Sequence, residues 1–374
     1  MKKALIVASV YIFVHHFERN DIKILKDLGY EVTIASNFNN YKGELDDLDI
    51  NLFNITFQRN PFSIDNLKAY KNLTKFLKKE KIDLIHCHTP IGGCIGRVAA
   101  YRNKVKTIIY TAHGFHFFKG SSLVSWLLYY TVEKYLSKYT DMLITINKED
   151  YKISQNFFAK RIKYIPGVGV DTEKIKNIKI DKNKKRTQLG FKDTDIILLS
   201  VGELNKNKNH ILVLKALSKI KNKNVIYVIA GTGPLQGYLK KECKNLRIED
   251  RVFFLGYRND VYELYKSADV FIFPSKREGL GLAPLEAMAA GLPLITSNIR
   301  GLRDYIIDGK TGFCIDKFNS DDFKIAIEKI IEDKYLKKVM GSYNQCAVRK
   351  FSLKVTDKIM RNLYNIYSAK EKLK

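Results

Sequence analysis

Short apolar runs recur along the chain, separated by stretches whose apolar residues return every three or four positions. Ala4–Val10, Asp83–His88, Lys106–Thr111 and Met142–Ile146 have strand length. Their lack of polar alternation predicts parallel strands covered on both faces. Between the first two, Arg19–Leu28 puts Ile22, Leu25 and Leu28 on one helical face and ends at Gly29. Glu31–Ser36 follows as a strand, so the chain opens with a βαβ unit. Residues 66–81 carry Leu67, Tyr70, Leu73, Phe76 and Leu77 at helical spacing, opposite Lys68, Lys71, Lys75, Lys78 and Lys79. Ile162–Ile165 closes this first series.

Pro166 to Asp171 (PGVGVD) reads as a crossover, and the polar, lysine-rich Lys174–Lys192 as the edge of a linker. The pattern then restarts. Strands are predicted at Ile196–Val201, Val225–Ala230, Val252–Leu255 and Val270–Phe273, with short ones at Pro293–Thr296 and Gly312–Ile315. Helices are predicted at Ile211–Ile220, 235–244 and Asp260–Ser267. Two βα series joined by a linker predict an α/β protein of two Rossmann-like domains with parallel sheets, facing one another. Residues 320–374 read as helical and polar, with apolar spacing through Ile359, Leu363 and Ile366.

Composition adds a charge argument. The 374 residues hold 65 Lys+Arg against 39 Asp+Glu, a net charge of +26. The excess is spread over both halves, which fits general attraction to anions, whether nucleotides, nucleic acid or acidic lipid headgroups, or a compositional bias alone. The lysine face of 66–81 reads either as solvated or as meeting anionic lipid. The aromatic stretch 117–136, with Lys119, Lys134 and Lys138 around it, reads either as core or as a lipid-facing surface. Five scattered cysteines predict reduced thiols in a cytoplasmic protein. His86-Cys87-His88 with Cys94 matches no common zinc spacing, so no metal is expected. Met1-Lys2-Lys3 before an apolar run mimics a signal peptide, but His15 to Arg19 (HHFER) follows instead of a small-residue cleavage site. No apolar run reaches the roughly 20 residues that span a bilayer.

Residues 1–36 hold no G-x-G-x-x-G, and no G-x-x-x-x-G-K-[ST] occurs anywhere, which counts against a dehydrogenase and a phosphate-loop ATPase. Three loops at strand ends suit an anion instead: 202–208 with Gly202 and Lys208, 231–234 with Gly231 and Gly233, and 278–283. In the last, Gly279 and Gly281 let backbone approach a ligand just before a helix with Pro284 in its first turn and Gly291 as its stop. Two acids, Glu278 and Glu286, flank this anion site and need partners of another kind, such as hydroxyls. A ligand with both phosphates and hydroxyls is a sugar nucleotide. His113 falls just past the carboxyl end of a strand, where open α/β sheets hold their ligands.

These residues resemble a family. Glu278 and Glu286 stand as E-x7-E within P-S-x-x-E-G-x-G-x-x-x-x-E-A-M-A-x-G-x-P, which is similar to the donor-site signature of retaining GT-B glycosyltransferases of family 4. Thr111 to Gly114 (TAHG), Pro166 to Asp171, Val201 to Lys208, Gly231 to Pro234 (GTGP) and Gly309 to Phe313 (GKTGF) match in order, so the resemblance spans nearly the whole chain. Thr111 to Gly120 and Ile146 to Tyr151 further resemble bacterial capsular and exopolysaccharide enzymes. The resemblance implies an acceptor-side domain over 1–168, a nucleotide-sugar domain over 169–355, and residues from about 356 to 374 crossing back to the first domain.

It also implies roles. Lys208 and the amides of Gly279, Leu280, Gly281 and Leu282 would hold the donor diphosphate. Glu286, on the first helical turn, would accept the ribose hydroxyls and Glu278 those of the transferred sugar. His113 would reach that sugar across the cleft. The leaving diphosphate takes the acceptor proton in front-face attack, so neither metal nor cofactor is required. Two departures stand out. Glu203 occupies the place of a usual arginine, which leaves the diphosphate to Lys206, Arg258 or backbone amides as further partners of Lys208. Tyr11–Phe17 replaces a glycine-glycine loop, leaving His15, His16 and His88 as acceptor-side candidates.

The expected reaction moves a hexose or N-acetylhexosamine from a nucleotide-diphosphate sugar, with UDP as the expected nucleotide, to a polyprenyl-diphosphate-linked glycan. Its expected place is the cytoplasm, peripheral on the inner face of the plasma membrane. A UDP-N-acetylglucosamine 2-epimerase on the same scaffold is the rival, and would need no acceptor. A basic nucleic-acid-binding protein is the other, although the chain holds no such motif and no nucleic-acid partner is expected.

Overall fold

The computed structural model describes residues 1–58 and 60–369, so the last residues of the returning segment, 370–374, lie outside the described residues. The chain divides into two compact units: Met1–Gly169 with Lys354–Lys374, and Val170–Leu353.

The first unit holds seven parallel strands: β1 (Lys2–Val10), β2 (Tyr30–Asn37), β3 (Asn51–Asn54), β4 (Leu84–Cys87), β5 (Thr107–Ala112), β6 (Met142–Thr145) and β7 (Ile162–Tyr164). They lie in the order β3-β2-β1-β4-β5-β6-β7. The central strands are buried from end to end, which is why they read as unbroken apolar runs. The second unit holds six: β8 (Ile196–Val201), β9 (Val225–Ala230), β10 (Val252–Gly256), β11 (Val270–Phe273), β12 (Leu294–Ser297) and β13 (Gly312–Ile315), in the order β10-β9-β8-β11-β12-β13. Both are Rossmann-like parallel sheets of the expected class. The helix Leu353–Ala369 returns to the first unit, where Tyr364 is fully buried and Arg361 pairs with Asp27 at 2.6 Å.

The structure corrects several readings. β3 was not predicted, because Asn51–Asn54 is an edge strand with three of its four residues exposed and no apolar run to mark it. Lys174–Lys192 is no linker: Thr172–Asn177 and Lys182–Gln188 are helices of the second unit. A single buried residue, Arg186, anchors the latter, donating to Asp269 Oδ2 at 2.7 Å and to the Ser267 carbonyl at 3.0 Å. In the helix Asp65–Glu80 the buried positions are Asn66, Ala69, Leu73 and Leu77, while Leu67 points to solvent. Tyr11–Phe17 is a helix starting directly from β1. No helix among the described residues is long and apolar enough to cross a membrane.

Candidate active site

Each sheet reverses its strand order once, and ligands of open α/β sheets sit beyond the carboxyl ends of the strands at that reversal. In the second unit the reversal lies between β8 and β11. The loops leaving these strands carry Lys208 and Glu278, seventy residues apart in sequence. The structure brings them together: Lys208 Nζ donates to Glu278 Oε1 at 2.7 Å and lies 4.4 Å from the centre of the Phe273 ring. A side chain at Gly202 would meet the Lys208 stem at 3.3 Å, so this glycine makes room for the lysine.

The loop between Glu278 and the helix Leu282–Ala290 is fixed from outside. Tyr305 donates its hydroxyl to the Leu280 carbonyl at 2.8 Å and sits 3.2 Å from that of Gly281. Gly281 itself has φ +82°, a left-handed conformation that a side chain resists, and caps the helix. The first amides of a helix have no acceptor within it, and such amides suit an anion.

Glu286 does not stand on the first helical turn; it is the fifth residue of Leu282–Ala290. Its Oε2 accepts from the Tyr265 hydroxyl at 2.9 Å, and burial pushes its carboxyl above the ordinary range while that bond pulls it back. Gly231 and Gly233 stand where backbone comes close to backbone. A side chain at Gly231 would lie 2.0 Å from the Gly202 carbonyl oxygen, and one at Gly233 2.6 Å from the Leu204 backbone. These glycines let two loops close on each other. Arg258 grips Asp260 through Nε at 2.7 Å and Nη2 at 2.5 Å. It also lines a cavity of about 280 Å³ with Gly202, Glu203, Gly231 and Tyr257. Glu203 is exposed and accepts from Asn205 Nδ2 at 2.8 Å.

In the first unit the reversal lies between β1 and β4. His113 follows β5, its side chain 17 % exposed, with Nε2 3.1 Å from His88 Nδ1 and 3.5 Å from Glu18 Oε1. His88 is fully buried and cannot meet an acceptor; it holds His113 in place. His15 binds the Glu44 carbonyl at 3.0 Å, whereas His16 is exposed on the helix Tyr11–Phe17.

Behind His113 lies a buried polar chain that the sequence did not reveal. His86 joins Thr111 at 2.8 Å and the Tyr364 hydroxyl at 2.7 Å, and Tyr364 also contacts Asp21 at 2.9 Å. Burial lowers His86 and His113 to about 3 and lifts Asp21 to about 7 and Glu18 well above the carboxylate range. His113 is therefore a neutral imidazole at neutral pH, suited to hydrogen bonding and not to carrying charge. Glu18 and Asp21 are acidic residues in a helical stretch, and only their burial gives them away.

Two doubly wound units, each gathering polar side chains at its strand reversal, define a nucleotide- or sugar-binding α/β class. Residues 3–147 match the family described as "Glycosyl transferase 4-like" and residues 181–346 the family "Glycosyl transferases group 1". The Bacillus subtilis protein named "Putative glycosyltransferase EpsD" is 37% identical over 98% of this chain and 97% of its own. The UDP-Gal:alpha-D-GlcNAc-diphosphoundecaprenol alpha-1,3-galactosyltransferase of Escherichia coli is 34% identical, covering 86% and 84%. Among solved structures, Anabaena Alr3699/HepE in complex with UDP and glucose superposes with a TM-score of 0.80 at 20% identity, covering 98% of this chain and 100% of that one. This chain belongs to the GT-B glycosyltransferases of the bacterial polysaccharide type.

Proposed function

We propose that the protein is a retaining glycosyltransferase that moves a hexose or N-acetylhexosamine from a UDP-sugar to a polyprenyl-diphosphate-linked glycan in cell-surface polysaccharide synthesis. The observation that carries the reading is the Lys208–Glu278 pair at the strand reversal of the second unit, beside the capped helix Leu282–Ala290. The E. coli relative named above supports the donor and acceptor classes by its printed name.

The pair sets one positive against one negative charge. On donor binding, Lys208 turns to the diphosphate, together with the helix-start amides. Glu278 is then released to accept hydroxyls of the sugar. As the glycosidic bond breaks, negative charge grows on the diphosphate, so Lys208 and the amides stabilise the departing state more than the bound donor. The β-phosphate oxygen takes the acceptor proton in the same step, and neither metal nor cofactor is called for. Glu286, steadied by Tyr265, accepts the ribose hydroxyls. His113 supplies the first unit's hydrogen bond to the sugar. Attachment to the anionic inner face of the plasma membrane completes the reading, through the lysines of Asp65–Glu80 and the exposed Leu123, Val124 and Leu127.

The test is a thermal-shift panel of nucleotide sugars followed by transfer with the best donor. UDP-sugars should raise the melting temperature, and Glu278→Ala should abolish transfer with the fold intact. Full activity of that variant sinks the assignment, and interconversion of the free sugar nucleotide without acceptor would establish the epimerase instead.

A further inference from the structure

The first unit holds an apolar cavity that none of the donor chemistry uses. Its volume is about 480 Å³, within the ~300–1,000 Å³ usual for small-molecule pockets. Val10, Phe13, Ile91, Leu128 and Val132 form most of its wall, with Phe62 at the rim.

Ser9, Thr89 and Glu133 of this wall are already engaged, and His116 and Tyr129 pack ring against ring at 5.2 Å. Ser9 and Thr89 bond each other at 2.8 Å, and Thr89 donates to the His88 carbonyl at 2.6 Å. Glu133 accepts from Arg97 at 2.8 Å and from the Tyr110 hydroxyl at 3.0 Å. Burial raises the Cys94 thiol to about 11, so it stays uncharged. A polar ligand would find little to bond here, whereas a hydrocarbon would lose nothing on entering.

The surroundings of the cavity point to the occupant. In its wall, the ring of Phe13 meets the ring of His113 edge-on, with centroids 4.8 Å apart. Leu128 of the wall stands on the same helical stretch as Leu123, Val124 and Leu127, which are 87%, 72% and 77% exposed, and Phe62 of the wall is 78% exposed. The helix that carries the leucines has a π turn over Trp126–Tyr130. The wider turn makes exposed pairs recur every fourth residue, at 123–124, 127–128 and 131–132, while Trp126, Tyr129 and Tyr130 pack inward. Lys134 and Lys138 lie over Phe158 at 5.3 and 5.1 Å, placing cations beside this apolar face as a membrane interface requires.

We infer that this cavity takes the isoprenoid chain of the lipid-linked acceptor, leading it from the exposed leucine face to the neighbourhood of His113. The inference rests on the proposed acceptor class and adds the place where its lipid is bound. It makes chain length a determinant of substrate choice.

Two measurements test it. The first follows the fluorescence of Trp126, the only tryptophan, as undecaprenyl phosphate or geranyl phosphate is titrated in zwitterionic nanodiscs. Saturable change with the long chain, weakened at least ~10-fold by Val132→Phe and by Leu128→Asp, supports the assignment. An equal response to lipid-only nanodiscs, or one unchanged in both variants, overturns it, since the cavity would then take bilayer acyl chains or nothing. The second compares transfer to one glycan diphosphate carrying either a long polyprenyl or a geranyl group. The variants should raise KM for the long acceptor ~10-fold, leaving the geranyl acceptor and the UDP thermal shift unchanged. Equal loss on both acceptors refutes a lipid subsite. Absence of transfer to either, with the fluorescence response intact, refutes the acceptor reading and leaves the lipid site standing.

Discussion

Lys208 and Glu278 hold the sharpest test of the proposed donor site, because the structure makes them partners of each other. The side chains are 20% and 13% exposed, so water screens the pair only in part. In the proposed mechanism, replacing Lys208 by Met removes the cation that stabilises the departing diphosphate. At ~4 Å and an effective dielectric of ~20, two unit charges interact by ~4 kcal/mol. A charge-assisted hydrogen bond is worth ~1.5–3 kcal/mol by mutational measure. With ~1.36 kcal/mol for each factor of ten, kcat/KM should fall ~10–10³-fold. Glu278→Gln separates the two roles. It frees Lys208 from its resident partner, so UDP alone should bind several-fold more tightly by calorimetry, while sugar transfer is lost. Lys208→Met should weaken UDP binding. If Glu278→Gln weakens UDP binding as much as Lys208→Met does, the carboxylate is not competing for the lysine and the exchange of partners is wrong.

Other outcomes follow from buried groups. His86 and His113 stay neutral in the fold down to about 3, whereas the unfolded chain protonates them near the ordinary histidine value, so acid favours unfolding. Asp21, lifted to about 7, and Glu18, also raised, act in the opposite sense and offset this above about pH 4.5. Below about pH 4 both states carry those carboxyl protons, and stability should drop by ~1.4 kcal/mol per pH unit for each histidine; urea midpoints that stay level from pH 4.5 to 3.5 would contradict this. Arg97→Met strands buried Glu133 without its cation and should cost ~3–5 kcal/mol by chemical denaturation, with Arg97→Met/Glu133→Leu recovering much of the loss. Gly281→Ala forces a side chain into φ +82° and within 3.3 Å of Phe273 and Leu302, so it should cost ~1–3 kcal/mol and blunt the UDP thermal shift. A UDP shift equal to that of the unmodified protein would show that the loop does not bind the donor.

Much of this was written locally. The buried parallel strands show as apolar runs, and E-x7-E with its glycines marks the loop and helix that end β11. What local pattern could not show is partnership between distant residues. The absent arginine at Glu203 left Lys208 without an evident partner, yet the strand order sets the β8 and β11 loops side by side and supplies Glu278. Glu286 was placed one turn too early, since helix bounds depend on where Gly281 turns the chain. His88 looked like an acceptor contact from its position after β4, and burial makes it a support for His113.

By itself, the sequence determined the fold class, the two βα series and the family, because periodicity and short motifs are properties of neighbouring residues. The tertiary structure decided which charges meet, which histidines are buried neutral, and which apolar residues of 117–136 face inward. Those depend on strand order, on the returning helix Leu353–Ala369 and on a π turn. Each joins residues that hydrophobic period alone leaves far apart.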